Sequence, residues 1–159
     1  MFNFFSKQAP TLQLVKPVDG SLMDIKDVPD PVFNQLYMGD GVAVNPEGNV
    51  ITAPCAGEVV LVAKTLHAVA LRAANGVEIL IHIGLDTVHL QGEGFTGHVK
   101  TGDMVKQGDA LISFDRAYIE QQGKSLITPV VITNMDEKVK SIKKFTDRQD
   151  QVIMEISAK

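Results

Sequence analysis

The chain has no tryptophan, a single cysteine, and no apolar run approaching the ~20 residues that a membrane-spanning helix needs. The lone Cys55 excludes an internal disulfide and fits a reducing compartment. Positive charge is scarce as well. Fifteen Lys and Arg against 19 Asp and Glu leave a net charge of −4, which argues against a nucleic-acid surface. The opening MFNFFSKQAP lacks the apolar core of a signal peptide, and residues 1–12 read as a flexible N-terminal segment. There is no low-complexity tract and no linker. Residues 13–159 therefore read as one domain, long enough to bury about 70% of its unfolded surface without staples.

Glycine is frequent, at 13 residues, and marks turns. Leu14 to Met23 and Ile51 to Val60 both read apolar-x-x-Pro-x-x-Gly-x-apolar-apolar. In each, Pro and Gly punctuate a bend between two short strands. Gly-Asp turns recur at Gly39-Asp40, Gly102-Asp103 and Gly108-Asp109, the last leading into a strand over Ala110 to Phe114. Strand patterns also cover Ser125 to Thr133, where Pro129 predicts a bulge or an edge, and Val152 to the end. Helical signals are few. Asp115 caps a short helix to Gln122 that Gly123 ends, and Asn134 caps another over Met135 to Phe145. Lys138, Lys140, Lys143 and Lys144 read as a solvated face. The fold class is all-β: an antiparallel sandwich or barrel of short strands with one or two short helices.

The chemistry concentrates in Thr65 to Leu90, TLHAVALRAANGVEILIHIGLDTVHL. Two arms, Leu61 to Arg72 and Val77 to Gly84, flank Ala73-Ala74-Asn75-Gly76. Asn-Gly between apolar runs is the strongest short hairpin signal. Each arm carries one histidine, His67 and His82. A two-residue turn puts Val69 opposite His82; a four-residue loop puts His67 there. In both registers the imidazoles share a face, about 4.5–8 Å apart at Cβ. A three-residue loop would send them to opposite faces. Thr65 shares His67's face, where its hydroxyl can orient the ring. Gly84 follows His82 on the same face and adds no side chain. Val77, Ile79, Ile81 and Ile83 fill the other face of that arm. His89 and His98 read as surface residues.

Two convergent imidazoles suit three chemistries. A neutral ring nitrogen can attack a phosphoryl group while the second ring hydrogen-bonds its oxygens. The pair can bind zinc, which needs a third and a fourth ligand; Asp86 and His89 lie near in sequence, but no His-Glu-x-x-His or Cys-x-x-Cys motif appears. General acid–base hydrolysis lacks an accompanying activated serine or cysteine.

Gly76 to Val88, continuing through Leu90-x-Gly92-Glu93-Gly94-Phe95, resembles the active-site signature of the glucose-type enzyme IIA of the bacterial phosphoenolpyruvate-dependent sugar phosphotransferase system. Pro17-x-x-Gly20, Asp27 to Phe33, Gly39-Asp40-Gly41-x-Ala43, Thr65-x-His67-Ala68 and Thr128 to Asp136 resemble it too, so the likeness spans nearly the whole chain. The resemblance implies a cytoplasmic, monomeric phosphotransferase component. His82 would accept phosphate on Nε2 from the phosphohistidine of HPr and pass it to a cysteine of the IIB domain of a sugar permease. His67 would assist, held by Thr65. Asp30 and Asp86 would flank the phosphate. Val32, Phe33 and Leu80 would form the apolar docking face; Ile81 is grouped with them, although alternation puts it opposite His82. Regulatory proteins use that face in enteric relatives, where the two histidines share zinc with a partner carboxylate. No cofactor is required. Pro31 stands where relatives carry an apolar residue, and Ala63 where enteric members carry an aromatic one. The initial Met slightly favours a free-standing protein over a domain cut from a multidomain permease. The sugar, the permease and the regulatory targets lie outside what the sequence specifies.

Two other readings compete. A zinc peptidase on a similar sandwich would use a His-x-His pair, whereas here the element is His82-Ile83-Gly84. A biotinyl or lipoyl carrier would present a lysine at a hairpin tip, whereas the tip is Asn75-Gly76 and Lys64 falls within an arm.

Overall fold

Short apolar runs broken by Pro, Gly and Asp close into antiparallel sheets. The computed structural model describes residues 11–148 and 150–159. One three-stranded sheet holds, in order, β1 (Thr11–Val15), β13 (Val152–Ala158) and β12 (Val139–Lys144). A second holds β4 (Val50–Thr52), β10 (Ala110–Phe114) and β8 (Phe95–Gly97). The third is seven-stranded: β2 (Gly20–Asp24), β3 (Asp40–Pro46), β11 (Thr128–Ile132), β7 (Glu78–His82), β6 (Ala68–Arg72), β5 (Gly57–Val62) and β9 (Met104–Val105). Among the described residues three short helices join them: α1 (Pro31–Asn34), α2 (Arg116–Gln121) and α3 (Met135–Lys138).

The large sheet is covered on both faces, and its alternation decides what lies where. Val69, Leu71, Ile79, Ile81 and Val130 point into the main core. There they meet Leu14, Ile153 and Ile156 of the first small sheet and Ile51, Leu111 and Ile112 of the second. Ala43, Ala68, Ala70, Leu80 and Val131 point the other way. That face is covered by the connection between β2 and β3, residues 25–39, through Ile25, Val28 and Phe33. Asp30 starts α1 there: its carboxylate accepts from the Val32 N–H at 3.0 Å, and Pro31 occupies the first helical position.

Four expectations change. Thr11 and Leu12 belong to β1, where they pair with Ser157 and Ile156, while 1–10 lie outside the described residues. Met135 to Phe145 is helical only as far as Lys138, because β13 offers Val139–Lys144 a strand partner and the ladder overrides helix propensity. Asn134 does not cap with its side chain. Its amide instead bridges Gly76 O and Glu78 N, at 2.9 Å each. Pro129 sits in a central strand, at the point where the ladder to β7 has not begun; that pairing starts at Val130.

Ile81 is fully buried in the main core, whereas Val32 is 46% exposed. Ile81→Ala should therefore cost about 2–5 kcal/mol of unfolding free energy. Val32→Ala should cost less than about 0.5 kcal/mol. Urea titration of both variants checks the contrast.

Candidate functional site

The β6–β7 hairpin closes through a three-residue loop. Ala73 N donates to Val77 O at 2.9 Å, Val69 lies opposite Ile81, and Ala68 lies opposite His82. Neither expected register occurs. By alternation alone, His67 would now face away from His82. It does not, because β6 starts only at Ala68. Residues 64–67 form the turn from β5, closed by Ala63 N to Ala68 O at 3.0 Å, and Leu66 is left-handed at φ 59°. Strand alternation therefore no longer governs the ring of His67. Leu66 packs against the main core, and the imidazoles of His67 and His82 meet edge to face with centroids 4.9 Å apart. The same turn holds Lys64, which is not within an arm as the spacing suggests.

Each ring is fixed by one bond. His82 Nδ1 donates to Gly84 O at 2.7 Å, so the neutral ring carries its lone pair on Nε2. Gly84 must be glycine: φ is 77°, and a Cβ would sit 2.6 Å from Ser125 O. His67 Nδ1 lies 2.6 Å from Thr65 Oγ1. The Phe33 ring packs edge-on against His82 with centroids 5.1 Å apart. Burial lowers the pKa of His82 more than the Gly84 carbonyl and Asp30 raise it. Burial, then the charge of His82, lowers that of His67. Both rings are neutral near pH 7.

A pocket of about 290 Å³ opens here, bounded by the two histidines, Asp30, Asp86, Val32, Phe33, Met38 and Val88. Asp86 is left-handed at φ 64° and 62% exposed on its side chain. It pairs with Lys124 at 3.2 Å and His89 at 3.1 Å, and the Lys124 bond leads in holding its carboxyl low. Of the four expected docking residues, Val32 alone is well exposed. Phe33 and Leu80 lie beneath the rim at 3% and 6%, and Ile81 is withdrawn from the face altogether because its side chain points into the main core. Val88 and Met38 take its place. His98 bonds Ser113 on another part of the molecule. Cys55 is buried and its thiol is pushed up to about 11, so it is no nucleophile.

Residues 12–138 match the family of the phosphoenolpyruvate-dependent sugar phosphotransferase system, EIIA 1. The chain belongs to this family. It is 47% identical over 161 residues to the PTS system glucose-specific EIIA component of Oceanobacillus iheyensis, covering 99% of this chain and 98% of that one. It is 50% identical over 123 residues to the PTS system mannose-specific EIIBCA component of Corynebacterium glutamicum, covering 77% of this chain and 18% of that one. Among solved structures, the glucose permease IIA from Mycoplasma capricolum is 35% identical with a TM-score of 0.83, over 97% of this chain and 99% of that one. The EIIA match contains every pocket residue and ends before β12.

Sequence reasoning missed Lys124, Met38 and Val88. Val88 lies within the signature, next to Thr87, and its exposure follows from a 3-10 turn over Thr87–Leu90 that the spacing does not announce. Lys124 meets Asp86 through a contact 38 residues long, which no local pattern encodes.

The lowered histidine pKa values give a pH test. The unfolded chain takes up these protons near 6.5 and the folded chain only at lower pH. Their contribution to stability therefore falls as pH drops through 6.5 toward the folded values. NMR titration of the ring C–H signals should give midpoints below 6.5 for both His67 and His82. A midpoint above that would mean that the site favours the charged ring over the neutral one.

Proposed function

We propose that this EIIA component accepts a phosphoryl group on Nε2 of His82 from the phosphohistidine of HPr and passes it to a cysteine of the IIB domain of a sugar permease. The observation that carries this reading is the His82 Nδ1 to Gly84 O bond at 2.7 Å, which fixes the tautomer and leaves Nε2 as the basic nitrogen. In the forward step the Nε2 lone pair forms a new P–N bond as the donor's P–N bond breaks. The donor imidazole leaves neutral, and the positive charge that develops on the His82 ring is stabilised by the Gly84 carbonyl. In the second step a thiolate displaces His82 from phosphorus, and the ring returns to neutral.

His67 supplies the second function. With the Thr65 hydroxyl donating to its Nδ1, Nε2–H is free to donate to a phosphoryl oxygen. Positioning and charge stabilisation dominate phosphoryl transfer, so a fixed donor matters more than an added base. Asp30 and Asp86 flank the group. Val32, Val88 and Met38 form an apolar rim for partners, with Phe33 and Leu80 as its floor. The reaction needs no cofactor. Among the described residues no three His, Cys, Asp or Glu side chains converge to hold a metal. The imidazole pair fits two zinc positions, and a partner carboxylate would have to complete the set. No helix of the described residues is long and apolar enough to cross a membrane. We place the protein in the cytoplasm, acting as a monomer, with regulatory proteins as further users of the same rim.

Incubation with phosphoenolpyruvate, enzyme I and HPr, followed by phosphosite mapping, tests the reading. Label should appear on His82 and vanish in His82→Ala. Label on His67, His89 or His98 instead would sink the assignment. His67→Gln should keep the fold and slow transfer by about two to three powers of ten, the loss expected for one preorganised donor. Rapid-quench measurement of both half-reactions reads that loss.

A further inference from the structure

We propose that Lys144 is a positioning residue for the phosphoryl site: its ammonium clamps both ends of segment 25–39, which carries Asp30, Val32 and Phe33 to His82. The proposal rests on the transfer function given above.

Segment 25–39 forms one wall of the pocket around His82 through Asp30, Val32, Phe33 and Met38. Asp24 ends β2 and Asp40 begins β3, so these two residues are the gateposts of the segment. Lys144 comes from a different sheet. Its Nζ lies 2.9 Å and 3.1 Å from the two oxygens of Asp24 and 2.8 Å from Asp40 Oδ1. The side chain is 18% exposed, so the expected solvated lysine is in fact turned inward. Burial lowers its pKa, and the bonds to Asp40 and Asp24 outweigh that, keeping the ammonium charged.

The cluster is closed on itself. Asp24 Oδ1 also accepts from Lys26 N at 3.1 Å, and Asp40 Oδ1 from Gly41 N at 2.8 Å. The clamp is therefore a fastener and leaves no arm for a ligand. Remove the cation and two half-buried carboxylates face each other at the base of the segment, where repulsion drives them apart. The consequence reaches the site through short local bonds. From Asp24 the chain enters the 3-10 turn to Val28, whose carbonyl accepts from Asp30 N at 2.8 Å and from the Asn34 side chain at 2.9 Å. Asp30 in turn caps α1, and α1 holds the Phe33 ring against His82. On the other side, Met38 lies close to Asp40 and lines the pocket. Lys144 falls outside the 12–138 span of the family match, so the fastener belongs to a part of this chain beyond it.

Loss of the clamp should loosen docking more than chemistry, because His82, His67 and Gly84 stand on other elements. The test uses the full chain with phosphorylated HPr as donor, in Lys144→Met, Lys144→Arg and the exposed-neighbour control Lys143→Met. Lys144→Met should raise KM for the donor about tenfold, the equivalent of one charge-assisted hydrogen bond, and change kcat by less than about twofold. Amides of 25–39 should exchange about tenfold faster, with those of β6 and β7 at the parent rate. Lys144→Arg should restore most of both, and Lys143→Met should match the parent. Asp24→Asn keeps the Lys144–Asp40 pair, and it serves as the milder variant if Lys144→Met folds poorly; it should show the same KM-selective defect at smaller size. A labelled parent with Lys144→Met and Asp24→Asn both at parental KM would overturn the clamp alone. So would a uniform rise in exchange over all sheets. A parent that takes no label on His82 would overturn the transfer reading, and the role of the clamp with it.

Discussion

The ladder between β6 and β7 is the constraint on which the site depends. One side of β7 is Ile79 and Ile81, buried in the main core; the other is Leu80 and His82, under the covering segment. A slip of one residue would exchange the two sets, burying the imidazole in the main core and presenting isoleucine at the pocket. Several interactions hold the register. The core locks it along the strand. At the tip, Arg72 and Glu78 pair at 2.8 Å, the Asn75 side chain accepts from Val77 N at 3.2 Å, and Asn134 spans Gly76 and Glu78 from a third strand's end. The hairpin tip is thus fastened by polar bonds where its apolar packing runs out.

Most of the architecture was legible in the sequence because period and punctuation encode it. The alternation of Val77 to Gly84, the strand Ala110 to Phe114 and the Asp115 cap all stand as read. The register was not legible. Asn75-Gly76 signals a hairpin but not its loop length, and the observed odd loop is the one that alternation alone would have counted against the site. The histidines converge for a different reason, a left-handed Leu66 in the turn from β5, and a β-branch-free Leu gives no local warning of positive φ. Equally hidden were contacts long in sequence, such as Lys124 to Asp86 and Lys144 to Asp24 and Asp40. A run of lysines reads as a solvated face until the fold supplies carboxylates.

The internal echo has a physical counterpart. Both copies fold as strand, Pro-x-x-Gly bend, strand: β1 into β2 around Pro17, and β4 into β5 around Pro54. The bends exchange bonds. Val15 N donates to Pro54 O at 3.0 Å, and Thr52 N donates to Pro17 O at 2.7 Å. Equivalent residues of the two copies thus satisfy each other reciprocally. The exchange ties the first small sheet to the second at the side of the large sheet away from His82.

The site carries strain. Among the described residues the non-glycine positions with positive φ are Leu36, Leu66, Asp86 and Gln91. Leu36 lies in the covering segment, Leu66 precedes His67, Asp86 borders the pocket, and Gln91 precedes Gly92, which packs beside Thr65. Each costs on the order of 1 kcal/mol, and a large apolar core can hold them. Their use at Asp86 is electrostatic. A bare carboxylate beside an incoming phosphoryl group would repel it. The left-handed turn instead sets Asp86 against Lys124 and His89, while Asp30 spends an oxygen on the Val32 N–H. Lys124 thus offsets the charge of Asp86, while the Asp30 carboxylate beside His82 favours the positive ring that would form in the proposed transfer.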